Sequence, residues 1–445
     1  MFYIEKDTEL TAELLQKIMN KFSTYVQPNL KKRKDYYDGK HAILQKKYSD
    51  ENKPCSKIVT NFAKIITDTY AGYICGKPIS YKSNDDISDV QEILNYNDDA
   101  AENMAFCTNA LIYGVAYELQ WLDKNTITRY TQVNPVNAFA IYDNTLDGNL
   151  MYFVRWYDAN TIDDNDDYIV EVYSAITVKT YKVRGIGGSM EFVEEKAHYF
   201  NDVPVSVFWL NEDTGENIFD CIVSLNDAYN ELQSSEVDDF SAFCDAYLLL
   251  TDMQNTDEEE IYKMKEDRVL LLPPNGTAQW LTKNASDTQI VNMLDNIKSN
   301  IFKVTACPDM ADDTFLAQSG TALAYKLTGL ENKASGIVTK FTKAIQRRIE
   351  LICNILNIKA SDAVWRDIQI NFVRNLPVNL TEIIQIVSAL KGIVSDATLL
   401  AQLPFISDIE AEIEAIQKQK EENMTMYDFG GGFGSNEEDD EEEEF

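Results

Sequence analysis

"YYDGKHAIL", Tyr36 to Leu44, follows the basic run "KKRK" and holds one of only two histidines in the chain. A catalytic or phosphate-binding reading needs company for it. His41 and His198 stand 157 positions apart, and neither has a Cys or Asp at ligand spacing, so no zinc site is expected. No GxxxxGK[ST] loop exists, and "VRGIGGSM" (183–190) lies between two strand patterns, which makes it a hairpin turn rather than a phosphate cradle. "DDNDD" at 163–167 lacks the Gly and terminal Glu of a calcium loop and reads as a solvated turn. The stretch is therefore a helix stop at Gly39. Tyr36, Tyr37 and Ile43 are expected to anchor the basic run, with His41 as a structural polar contact.

Working outward, 8–23 reads as an amphipathic helix capped by Thr8, and 27–39 as a second helix. Residues 56–74, "SKIVTNFAKIITDTYAGYI", form a buried helix stopped by "GKP", and 86–113 a further one. The period then changes to alternation. "VAYELQW", "TRYTQVNP", "AFAIYD", "LMYFVRWYD", "YIVEVYSAITVKTYKV" and "MEFVEEKAHYF" (115–200) predict an antiparallel meander. Helical spacing returns from Ile218 through Leu225, Tyr229, Leu232 and Phe240. A charged segment with brief strands fills 247–286. At 287–305 a helix sets Ile290, Leu294, Ile297, Ile301 and Val304 opposite Asn292, Asp295, Asn296, Ser299 and Lys303. A polar loop precedes a very long helix at 320–357, in which Gly329 and Gly336 mark bends or close contacts. A strand at 367–375 and a helical unit at 379–420 complete an α+β fold.

The charge balance narrows the function. Net charge is −33, from 73 acidic and 40 basic residues. The last 25 positions hold 11 acids and no base, which leaves 62 against 40, or −22, for the rest; such a tail repels itself and is expected to be disordered. Tight wrapping of duplex DNA in a basic cleft is disfavoured, although a protein that lets DNA slide past is not. The opening "MFYIEKDTEL" lacks the apolar core of a secretory signal, and no apolar run approaches the ~20 residues of a membrane span, so no membrane partner is expected. Seven scattered cysteines without a CxxC pair read as reduced thiols of a cytosolic setting. No cofactor or metal is implied. An acid-rich enzyme with carboxylates gathered by the fold stays open.

Two helices, 218–246 and 287–305, bracket a small charged strand-and-turn segment, a stalk with a tip. Two helices alone bury little, so the stalk is expected to pack against copies of itself. Lys31, Lys32, Arg33 and Lys34 form the densest positive patch, either a solvated helix face or a contact for acidic neighbours or phosphates.

Several phrases together resemble the portal protein family of tailed bacteriophages, in its long-tailed, flexible-tailed branch. "YYDGKHAIL" and "KPCSKIVTNFAKIITDTYAGYICGKPISY" (53–81) resemble its N-terminal signature, and "LIYGVAYEL" and "TQVNPVNAFAIYD" the strands that follow. "CPDMADDTFLAQSGTALAYKL" (307–327) resembles its loop-to-long-helix junction, and 376–416 its C-terminal helices. The family's usual Asn-Asn near Cys55-Ser56 is missing, and the acidic tail lies outside its pattern. The resemblance implies a dodecameric ring at one capsid vertex, through which DNA is packaged and ejected, and no hydrolysis by the ring itself. The wing would be 1–217 with 306–375, the stem 218–246 and 287–305, the clip 247–286 and the crown 376–420, with 421–445 as the tail. It further implies DNA-channel residues Asn292, Asp295, Asn296, Ser299 and Lys303 on the stem, and Asp312, Asp313 and Gln318 on a tunnel loop at 307–319. Docking of the terminase large subunit would fall on Asp257, Glu258, Glu259 and Glu260. Head–tail connector, major capsid and scaffold proteins would be the other partners. Another ring-forming virion connector is the alternative.

Overall fold

The computed structural model describes residues 1–47, 54–159, 167–185, 188–243, 247–251, 262, 277–281, 287–310, 320–358, 365–375, 380–400, 403 and 412–419. They fall into two units, Met1–Asn375 and Leu376–Phe445.

Helix α1 (Ala12–Lys21) begins four residues after the expected Thr8. Its cap is Thr11, whose extended backbone lets the side-chain oxygen accept the Leu14 N–H. The chain upstream is used otherwise: Phe2–Ile4 is a strand, β1, and the backbone turns through Asp7 at φ 67°. A π-turn at Phe22–Val26 leads without a break into α2 (Gln27–Tyr37). Gly39, at φ +85°, ends α2 as predicted. Its N–H donates to Tyr36 O and that of Lys40 to Asp35 O, the paired bonds of a Schellman stop.

Helix α3 is shorter than its apolar pattern. It spans Phe62–Cys75 behind an Asn61 cap, and the residues before it run extended. The single helix expected over 86–113 is two, α4 (Ser88–Tyr96) and α5 (Asp99–Tyr113). The break is tertiary in origin. The buried Asn97 side chain donates to Ile93 O and Thr128 O and accepts from Tyr130 N–H, and Asp98 turns left-handed at φ 52°.

The expected meander divides into two sheets. β3 (Val115–Leu122), β4 (Thr128–Val133) and β10 (Val205–Trp209) form one, in the order β10-β3-β4. β5 (Ala138–Asp143), β6 (Leu150–Asp158), β7 (Asp167–Tyr173), β8 (Thr177–Arg184) and β9 (Met190–Ala197) form the other, with β1 added in parallel beside β5. The switch lies in the short helical turn Pro135–Asn137, where Asn134 Oδ1 accepts the Val136 N–H and redirects the chain.

The layers follow from which face each strand buries. Phe139, Ile141, Val154, Trp156 and Val170 of the larger sheet pack on Leu15, Ile18, Phe22 and Leu30 of the N-terminal helices. Its other face, with Ala138, Ala140 and Phe153, meets Val115, Tyr117, Leu119 and Val205 of the smaller sheet. Beyond the smaller sheet lie α5 and a 39-residue helix, Gly320–Ile358, the element predicted from its apolar repeat. Phe208 of β10 stacks on Phe341 of that helix, with ring centroids 4.8 Å apart.

The same layer buries a charge. Arg348, fully enclosed, donates to both oxygens of Glu118 (2.7 and 2.5 Å), to Asn103 Oδ1 and to Asp99 Oδ1, and lies 4.5 Å from the Tyr130 ring centroid. A cation removed from water is tolerated only when so completely bonded. It ties the long helix to α5 and β3. A two-stranded pair closes the unit: the strand Gln369–Asn371 runs antiparallel to β2 (Ser80–Lys82). The C-terminal unit holds helices Leu380–Leu390, Asp396–Leu400 and 412–419.

Candidate functional site

Helix α6 (Val223–Phe243) and helix α7 (Asp287–Thr305) pack against each other, and the strands Tyr247–Thr251 and Thr277–Leu281 that follow and precede them pair antiparallel. Two helices thus flank a strand pair, and most of the intervening segment 252–276 lies outside the described residues. Phe62, the first residue of α3, meets Tyr229 of α6 and Phe302 of α7 edge-on, at 5.1 and 5.8 Å. That aromatic wedge fixes the root of the helix pair on the larger unit.

On α7 the predicted faces hold with one correction. Asn292, Asp295, Asn296 and Lys303 are exposed and Ser299 half-buried, within an arc of about 100° of the helix. Ile301 is buried, but Val304 is 53% exposed. Thr305 takes the inward position, with its hydroxyl bonded to Ile301 O. The apolar residues Val291 and Met293 of α7 and Val237 and Phe240 of α6 also stand open to solvent, Phe240 at 72%.

At the foot of α7, Asp295, Ser299 and Lys303 line a cleft of about 560 Å³ with Lys326 of the long helix. Lys298 donates to Asp309 at 2.7 Å, and that carboxylate holds its ammonium above the ordinary lysine value. Gly329 lies beside Ala306, but a Cβ on it would meet the Ala306 methyl at 3.4 Å, an ordinary contact, so the expected close approach does not require glycine. Gly336 has open space instead. Asp312, Asp313, Gln318, Asp257, Glu258, Glu259 and Glu260 lie outside the described residues.

The basic run is not one patch. Arg33 turns inward, pairing with Asp220 at 2.5 Å and donating to Tyr113 O and Gly215 O, while Lys34 pairs with Asp38 one turn on. Lys31 and Lys32 stay exposed.

His41 proves to be the hinge of a contact that sequence reasoning missed. It stacks on Tyr36 at 4.0 Å between centroids, its Nε2 bonds Tyr36 O, and its Nδ1 accepts from the Asn230 side-chain amide on α6 at 2.9 Å. Burial pushes its imidazole below the ordinary value. Around it, Asn226, Asn230, Ser234 and Asp238 form a buried polar row on α6. This row holds the extended strap before α3. Asn226 donates to Thr60 O (2.8 Å), and Asn230, Ser234 and Asp238 accept the N–H groups of Thr60, Ile58 and Ser56 (2.9, 3.0 and 2.6 Å). The strap's alternate N–H groups meet side chains four apart, so those donors are satisfied without a sheet. The only sequence signal was four small polar residues at four-residue spacing, which reads as a solvent face.

Among the described residues no group of His, Cys, Asp or Glu could hold a metal ion, and no helix is long and apolar enough to cross a membrane. The six cysteines among the described residues are free thiols, Cys75, Cys107, Cys307 and Cys353 buried among them.

The chain thus carries a two-helix stalk rooted in a sheet-rich body, together with a 39-residue helix. A family model described as "Phage portal protein, SPP1 Gp6-like" matches residues 18–426, and the chain belongs to that family. The portal protein of Bacillus phage SPP1 is similar, 21% identical over 412 residues that cover 87% of this chain and 80% of that protein.

Proposed function

We propose that the chain assembles into a dodecameric ring at one vertex of the capsid and forms the channel through which DNA enters and leaves. The observation that carries this reading is the stalk: two helices expose Phe240, Val237, Val291, Met293 and Val304 in the single chain, apolar surface that a neighbouring copy would cover. In this reading 1–217 with 306–375 is the wing, 218–246 and 287–305 the stem, 247–286 the clip and 376–420 the crown.

The chemistry of α7 suits a passage. Each phosphate neutralised by a fixed cation releases counterions and adds affinity, so a basic lining would hold the duplex. Asn292, Asp295, Asn296, Ser299 and Lys303 mix amide, hydroxyl and both charges, and touch a moving backbone without reading bases. Asp312, Asp313 and Gln318 would extend that lining. Asp257, Glu258, Glu259 and Glu260 would receive the terminase large subunit, with connector, capsid and scaffold proteins meeting other surfaces. The ring itself would hydrolyse nothing. Negative-stain micrographs of the purified chain should show rings with a central hole; a stable monomer with no ring would overturn the reading.

A further inference from the structure

Apart from the stalk, the larger unit carries a half-open pocket of about 480 Å³ between α2 and the two sheets, floored by buried core rings and of a size suited to an anchoring group. Phe22, Tyr117, Phe139 and Trp209 line it, and Tyr25, 73% exposed, stands at the rim. The rim also carries Lys32, exposed and without an ion pair among the described residues. The neighbouring Arg33 cannot serve, because Asp220 already neutralises it.

An apolar interior under one unspent cation selects an occupant with the opposite arrangement, an aromatic ring beside a carboxylate. In a chain of net charge −33 an acidic partner is repelled from most of the surface, so a local cation decides where one can land. We infer that this pocket is a docking site for an acidic polypeptide segment of a partner protein, with an aromatic side chain seated among the rings and an adjacent carboxylate on Lys32. The inference stands apart from the ring reading: a ring that fails to bind such a segment removes this site alone.

The test uses the full-length protein and a fluorescein-labelled peptide, EEDFDE, followed by fluorescence anisotropy at low and high salt. Saturable binding that weakens with salt is expected. Replacing the peptide's Phe by Ala should weaken it about tenfold, through lost ring burial. Lys32→Glu, at an exposed position that the fold does not need, should weaken it about fivefold. Equal affinity for wild type and Lys32→Glu, or for the Phe and Ala peptides, would overturn the proposal. So would a Lys32→Glu protein whose oligomeric state changes by size exclusion, because a neighbouring copy would then be the occupant. Affinity that rises on removing 421–445 would likewise overturn it, pointing to the chain's own acidic tail.

Discussion

His41 and Asn230 show how two polar side chains can hold a joint that apolar packing would leave loose. Asn230 uses both ends of its amide, giving a hydrogen to His41 Nδ1 and accepting one from Thr60 N–H. Asn230→Ala strands both partners in a buried setting, so a loss of about 2 kcal/mol is expected, read from the urea midpoint. The pH dependence has a definite sign. Burial lowers the folded-state pKa of His41, so both states are neutral above its unfolded value near 6.5. As pH falls below that, the unfolded chain takes up the proton first and the folded state loses stability. The stability of the wild type should therefore decline from about pH 6.5 downward, and His41→Gln should flatten that part of the curve; an unchanged slope would show that His41 does not titrate on unfolding.

At the scale of elements, α7 invites a direct trial. Ser299→Arg with Lys303→Arg adds a positive charge and bulk to the proposed lining while leaving the buried Ile301 and Thr305 face intact. Rings should still form, and DNA packaging in an in vitro assay should slow at least about tenfold; normal rates would place this face away from the duplex. Much of this element was legible beforehand, because a helix buried on one side writes its apolar residues at three-and-four spacing. The long helix and Gly39 were legible for the same local reasons. α6 was legible as a helix, but its inward row was not: that row is Asn, Asn, Ser and Asp, buried against another segment's backbone rather than against side chains, and no hydrophobic period records that. The division of the meander was equally hidden, since strands of either sheet alternate alike and only Asn134 and Pro135 mark the switch. The break at Asn97 depends on a distant strand, β4, that the local pattern cannot see.

For the whole molecule, charge and assembly separate. Residues 421–445 carry 11 of the 73 acids, and the family match ends at 426. Removing them should change the net charge from −33 to −22 and leave the oligomer unaltered by light scattering; loss of the ring would make the tail a structural part. The stalk's open apolar residues, by contrast, tie its stability to neighbours, so the chain's fold and its assembly should be coupled there and independent at the tail.

The strap on α6 carries its own ruler. Two residues of extended chain advance about 6.6 Å, whereas four residues of helix advance about 6.0 Å along the helix axis. The helical row also slants about 26° across the axis, which the strap must follow. Along that slant four helical residues span about 6.7 Å, so the two repeats agree to about 0.1 Å and the rungs at Thr60, Ile58 and Ser56 all close. The fastening thus works because two residues of strap keep step with four of helix, and a single inserted residue within 56–60 would turn its donors to the wrong side.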